Sequence, residues 1–151
     1  MQPRQATEPP PRTSGELLAD IVVAVTRLNR LAGVAGGVEL PHAVMRALGT
    51  LDEYGALRIS EFARLDRCSQ PAATALIGRL TQAGLATRAK DPDDSRAVVV
   101  ELTPAGRDRL ATARENLGNS LAARLPDFDP DALIRLRADL GDLIEAIHHH
   151  S

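Results

Sequence analysis

Apolar residues recur at helical spacing in four stretches of this chain. Leu18, Ile21, Val25, Leu28 and Ala32 step by three and four, a heptad-like seam of the kind that packs against another helix. The seam predicts a helix from Glu16 to about Ala32, capped by Ser14 and broken by Gly33, Gly36 and Gly37. Val44, Leu48 and Leu51 predict a second helix, from Pro41 to about Asp52, closed by Gly55. Ala73, Leu76, Ile77 and Leu80 form one stripe of a third, which opens on Ser69-Gln70-Pro71 and stops at Gly84. Leu133, Leu136, Leu140, Leu143 and Ile147, after a loop bracketed by Pro126 and Pro130, predict the last, from about Asp131. Two helices carry weaker patterns. Glu61 to about Leu65 follows a cap at Ser60, and Thr103-Pro104 starts one that runs to about Arg124.

Between Gly84 and Thr103 the helical spacing disappears. Leu85 to Lys90 and Ala97 to Leu102 can pair as a hairpin across Asp91-Pro92-Asp93-Asp94-Ser95-Arg96. A helix followed directly by a two-stranded ribbon with a charged tip is the plan of a winged helix. The expected fold is therefore mainly α with a small β wing. Its winged helix-turn-helix spans 41–102, flanked by outer helices over 14–34 and 104–147. A middle of this size needs no such long outer helices for its own core. They read as dimerisation helices that interlock between two chains; the alternative is packing on each other within one monomer. A two-fold partner suits duplex DNA.

Composition narrows the class. The chain has 151 residues, one domain with a proline-rich tail over 1–13 expected to be disordered. Formal net charge is -2, so any nucleic-acid function rests on local basic placement. A single cysteine allows no intrachain disulfide and fits a reducing cytoplasm. No apolar run approaches a membrane span, and the first residues lack a secretory signal's apolar segment. There is no phosphate-cradling glycine loop, no nucleophile motif and no metal-ligand cluster away from the terminal histidines, His148 to His150. An enzyme, a cofactor or a metal site is thus not expected. Those histidines read as a solvated tail or an affinity-tag remnant.

Four matches make the chain resemble the MarR family of bacterial transcription regulators. They are Ser69-Gln70-Pro71 with Thr74; Arg79-Leu80 leading to Gly84-Leu85 and Arg88; the wing Asp91-Pro92-Asp93-Asp94-Ser95-Arg96; and the exit Leu102-Thr103-Pro104-Ala105-Gly106. The resemblance covers about Glu16 to Ile147 and implies a cytoplasmic homodimer that binds double-stranded DNA, most simply as a repressor. It implies that Arg96 at the wing tip enters the minor groove, oriented by Asp94; the plain alternative is a surface salt bridge between the two. Ser69, Gln70 and Thr74 open the recognition helix, where they can cap it, meet phosphate or read a base edge. Arg79, Arg88 and Lys90 are backbone-contact candidates, and Arg58, Arg64 and Arg67 add positive field. Where the family often carries an arginine after the threonine, this chain has Ala75, so bidentate reading of guanine is lost there.

Two further readings concern regulation. The resemblance implies a site for a small anionic or phenolic effector between the dimer helices and the winged helix, where His42 and Arg46, one turn apart, could hold a carboxylate. The alternative is an exposed or capping pair. Cys68, just before the recognition helix, could be an oxidant sensor if the helix end lowered its pKa, or a small buried hydrophobe. A winged helix used only for protein–protein contact remains the competing function.

Overall fold

The computed structural model describes residues 12–35, 40–94 and 96–150. In order these form α1 (Ser14–Ala35), α2 (His42–Tyr54), β1 (Leu57–Arg58), α3 (Ile59–Leu65), α4 (Gln70–Gln82), β2 (Ala86–Lys90), β3 (Val98–Leu102), α5 (Pro104–Ala122) and α6 (Pro130–His148). The expected disorder of the tail falls mostly outside the described residues, as do Gly36, Gly37 and Ser95. Its last residues depart from that expectation, because Thr13 builds the start of α1. Thr13 Oγ1 accepts from Glu16 N–H, and Glu16 Oε2 accepts from Thr13 N–H. The cap is therefore Thr13, not Ser14, and α1 runs through Gly33 instead of breaking there.

The wing is a three-stranded antiparallel sheet in the order β1-β3-β2, not a two-stranded ribbon. Leu57 pairs with Val100 and Arg58 with Val99. A two-residue strand carries no periodicity, which is why the chain pattern hides it. Ser60 does not cap α3 either. The helix starts two residues earlier than expected, at Ile59, and Glu61 Oε2 accepts the N–H of its N-cap, Arg58, at 2.9 Å.

Phe62, Leu48, Leu51, Ile77, Leu80, Leu110 and Val100 are the fully buried large side chains. They place the core among α2, α3, α4 and the sheet, with α5 contributing Leu110. Burying each is worth about 1.5–3 kcal/mol. Among the described residues α1 and α6 contribute none of the buried core, whereas α5 buries Gly106, Leu110 and Ala113. No residue of α6 is buried. The α1 seam of Leu18, Ile21, Val25 and Leu28 stays 37–53% exposed.

Two helix ends shape the reading head. After α4, Leu85 N–H donates to Leu80 O at 2.9 Å and Gly84 N–H to Thr81 O at 3.1 Å, with Gly84 at φ 72°. This is the paired-bond stop that wants a glycine in the left-handed region. After α3 the same bonds recur, Cys68 N–H to Ala63 O at 3.0 Å and Arg67 N–H to Arg64 O at 3.4 Å, but Arg67 takes the left-handed place at φ 52°. A left-handed L-residue costs about 1–2 kcal/mol, partly offset by glycine's greater unfolded freedom. Arg67→Gly should therefore raise the unfolding free energy by about 0.5–1 kcal/mol. Urea unfolding at fixed protein concentration checks this, and a lower midpoint would contradict it.

Candidate nucleic-acid interface

Ser69 is the N-cap of α4. Its Oγ accepts from Ala72 N–H at 3.3 Å, so the capping reading of Ser69 holds. Thr74 Oγ1 donates back to Gln70 O at 2.9 Å and keeps its lone pairs as acceptors. Gln70 and Thr74 lie four apart on one exposed stretch of the helix, and Arg79 is exposed in its last turn. Ala75 is also exposed, so the departure from the family pattern lies on the surface. The buried stripe Ala73, Leu76, Ile77 and Leu80 fixes which side of α4 faces away from solvent.

The cations differ in what holds them. Arg46, Arg58, Arg114 and Arg135 are each held by an aspartate. Arg64, Arg67, Arg79, Arg88, Lys90 and Arg96 are exposed, and among the described residues their side chains have no ion-pair partner. Arg79 has no acid within ion-pair distance among the described residues. These six lie on α3, the turn after it, α4, β2 and the wing tip; Arg27, Arg30, Arg107, Arg124 and Arg137 are exposed too, without an ion-pair partner among the described residues, on α1, α5, the loop after α5 and α6. Arg88 and Lys90, two apart on β2, share a face of the strand. A charge of -2 overall is therefore compatible with a local basic surface.

The wing acids act on the wing itself. Asp91 Oδ1 accepts from Asp93 N–H at 2.9 Å, and Asp94 Oδ1 accepts from Arg96 N–H at 3.0 Å. Asp94 thus positions Arg96 through its backbone; the guanidinium itself remains exposed. The Asp93 N–H first, and then the Arg58 guanidinium, hold the Asp91 carboxyl below the usual carboxylate range. An unfolded aspartate titrates near about 3.9. The Asp91 contribution to the wing is therefore complete above that pH and is lost as pH falls through the lower folded value. A carboxyl-carbon NMR titration should place the Asp91 midpoint below about pH 3.9; a midpoint at or above it would contradict the placement.

The expected effector pair is not assembled. His42 is exposed at the first position of α2. Arg46, one turn on, donates from Nε to Asp66 Oδ1 at 2.7 Å and from Nη2 to Asp66 Oδ2 at 2.8 Å. The fork a carboxylate ligand would need is already occupied by a carboxylate with no exposed side-chain surface. Asp66 is the C-cap of α3, so this pair ties α2 to the turn that launches α4. Chain spacing could not show a pair separated by 20 residues. Cys68 also departs from the sensor reading. Partial burial, then the charge and hydrogen bonding of Asp66, push its thiol up, opposite to what a reactive thiolate needs.

A helix-turn-helix with an exposed polar opening, followed by a sheet whose loop carries an oriented arginine, defines a winged helix-turn-helix protein. The MarR family model matches residues 40–98, the reading head from α2 to the start of β3. An HTH-type transcriptional regulator of Mycobacterium tuberculosis is 30% identical over 133 residues, covering 85% of this chain and 92% of the relative. A MarR family transcriptional regulator from Silicibacter pomeroyi is 26% identical, with a TM-score of 0.60 over 91% of this chain and 95% of that one. Apo MarR from Escherichia coli is 19% identical, with a TM-score of 0.61 over 88% and 98% of the two chains, a likeness of fold. The chain belongs to the MarR family of DNA-binding transcriptional regulators. That membership places it among regulators and not enzymes, and favours DNA over a purely protein-binding wing. No helix among the described residues is long and apolar enough to cross a membrane.

Proposed function

We infer that this regulator acts as a homodimeric repressor on a roughly palindromic operator. Its recognition helices enter successive major grooves and its wings the flanking minor grooves. The observation that carries the dimer is the bare apolar face of α1 and α6 outside a core already complete without them. Leu133, Leu136, Ile144 and Ile147 on α6 are 49–55% exposed. Exposed apolar surface on this scale, on helices at both ends of the chain, marks an interaction site. Two copies brought together there would hold two reading heads on one face of a duplex, with half-sites about one helical turn apart.

Within each head, Ser69, Gln70 and Thr74 meet the major-groove edges and nearby phosphate. Arg79, Arg88 and Lys90 meet the backbone. Asp94 fixes Arg96, whose guanidinium enters a narrow minor groove. Ala75 leaves more of the sequence preference to DNA shape. A small anionic or phenolic effector would act by changing the spacing of the heads; with Arg46 engaged, His42 is the remaining polar group of the expected pair.

Arg96 gives the test. Arg96→Ala should weaken binding to every duplex and lower the slope of log affinity against log salt by about 0.9, the share of one neutralised phosphate. Fluorescence anisotropy with duplexes selected from a random pool measures both quantities. Unchanged affinity and slope would remove Arg96 from the interface.

A further inference from the structure

The wing has an anchor far from it in the chain. Arg58 precedes Asp91 by 33 residues, and its guanidinium reaches from β1 to the root of the wing loop. Nε donates to Asp91 Oδ2 at 2.7 Å, and Nη2 lies 2.6 Å from the same oxygen. Nη2 also lies 3.8 Å from Asp94 Oδ2. The two carboxylates turn their other oxygens to the loop backbone, Asp91 to Asp93 N–H and Asp94 to Arg96 N–H. Each acid therefore bridges the wing backbone to one guanidinium. Arg58 is itself held at its backbone, by Glu61 Oε2 and by its pairing with Val99.

We propose that Arg58 is a positioning residue for DNA recognition: through Asp91 and Asp94 it sets the wing loop in the shape that presents Arg96, and it neutralises no phosphate. The proposal rests on the reading of Arg96 as the side chain that enters the groove. It gives two of the three aspartates in this loop, Asp91 and Asp94, a role other than meeting phosphate. Asp91, only 9% exposed at its side chain, is packed under the loop as a strut, and Arg58 supplies the opposing charge. A surface pair serving stability alone would matter little, since exposed ion pairs are worth almost nothing. A direct phosphate contact would show its own salt dependence.

Anisotropy titrations of the full-length protein with a pool-selected duplex, over a range of salt, separate these roles. The variants are Arg58→Ala, Arg58→Lys, Asp91→Asn, Arg96→Ala and the double variant Arg58→Ala/Arg96→Ala, each checked for fold by circular dichroism melting. Arg58→Ala should weaken binding about tenfold, the scale of one charge-assisted contact. Arg58→Lys should recover part of that loss, because lysine keeps the charge without the fork. Asp91→Asn keeps the acceptor for Asp93 N–H and leaves the Arg58 and Val99 backbone pairing alone. It should weaken binding too, although it removes a negative charge beside the phosphates. In the Arg96→Ala background, Arg58→Ala should change neither affinity nor salt slope.

Further loss in that background with a slope lower by about 0.9 would make Arg58 a phosphate contact and overturn the proposal. Tighter binding by Asp91→Asn would overturn it as well. If Arg96→Ala weakens binding while Arg58→Ala and Asp91→Asn do not, only the positioning role falls. If Arg96→Ala has no effect, the reading of the wing beneath it falls first.

Discussion

Gly106→Ala should destabilise the protein by about 3 kcal/mol, at the upper end of the cost of overpacking a tight site. A Cβ at this position would stand 2.0 Å from Leu85 O and 3.2 Å from Leu102 Cδ2. The first is backbone and cannot rotate away. That carbonyl also accepts the Thr103 N–H at 3.2 Å. Thr103 Oγ1 in turn donates to Gly84 O at 2.6 Å and accepts from Gly106 N–H at 3.0 Å. The glycine thus sits where the end of α4, the end of β3 and the start of α5 are bonded together. Moving any one of them breaks a bond held by another, so the strain has no local escape. Denaturant unfolding at fixed concentration measures the loss. A change under about 1 kcal/mol, the size of an ordinary surface substitution, would show that the close approach is relaxed in solution.

Leu136→Asp should separate the protomers and reduce operator affinity by more than about 100-fold. Leu136 is 49% exposed on α6, which contributes nothing to the core of its own chain, so an aspartate there should leave the monomer folded. In a two-fold interface each substitution appears twice, placing two carboxylates against the same apolar seam. Burying an unpaired charge costs several kcal/mol, and each 1.4 kcal/mol is a factor of ten in association. A single reading head, deprived of its tethered twin, then binds with its own weak affinity. Sedimentation velocity reads the dissociation and anisotropy the binding. A variant that stays dimeric with full affinity would move the interface off this face of α6.

Much of this architecture was legible in the chain because its helices are amphipathic at their own period and its turns carry glycine or proline. The stripe Ala73, Leu76, Ile77 and Leu80 predicted both α4 and its buried side, and Gly84 predicted its stop. Thr103-Pro104 marked the start of α5 to the residue. Where the governing interaction is long-range, the pattern was silent. β1 exists because Val99 and Val100 offer Leu57 and Arg58 a ladder, not because two residues show an alternation. The turn before α4 uses Arg67 where glycine would have announced it. The caps of α1 and α3 moved because a glutamate three residues in chose the backbone N–H it could reach, at Thr13 and at Arg58.

The site was legible in the same uneven way. The exposed opening of α4 and the oriented Arg96 follow from motif residues close in sequence. The engagement of Arg46 by Asp66 and of Arg58 by Asp91 does not, since each pair joins elements separated by a helix or more. Those pairs change what the arginines can do. Arg46 passes from a ligand candidate to a strut, and Arg58 from background charge to an anchor. Cys68, partly buried and then placed against Asp66, becomes a poor thiolate.

The central claim is that two chains read one duplex together. Sedimentation equilibrium of the purified protein with a pool-selected duplex, in dilute salt, gives the mass of the complex directly. Two protomers per duplex, bound in one cooperative step to half-sites about one helical turn apart, is the predicted result. One protomer per duplex, or no complex with double-stranded DNA at all, would contradict it.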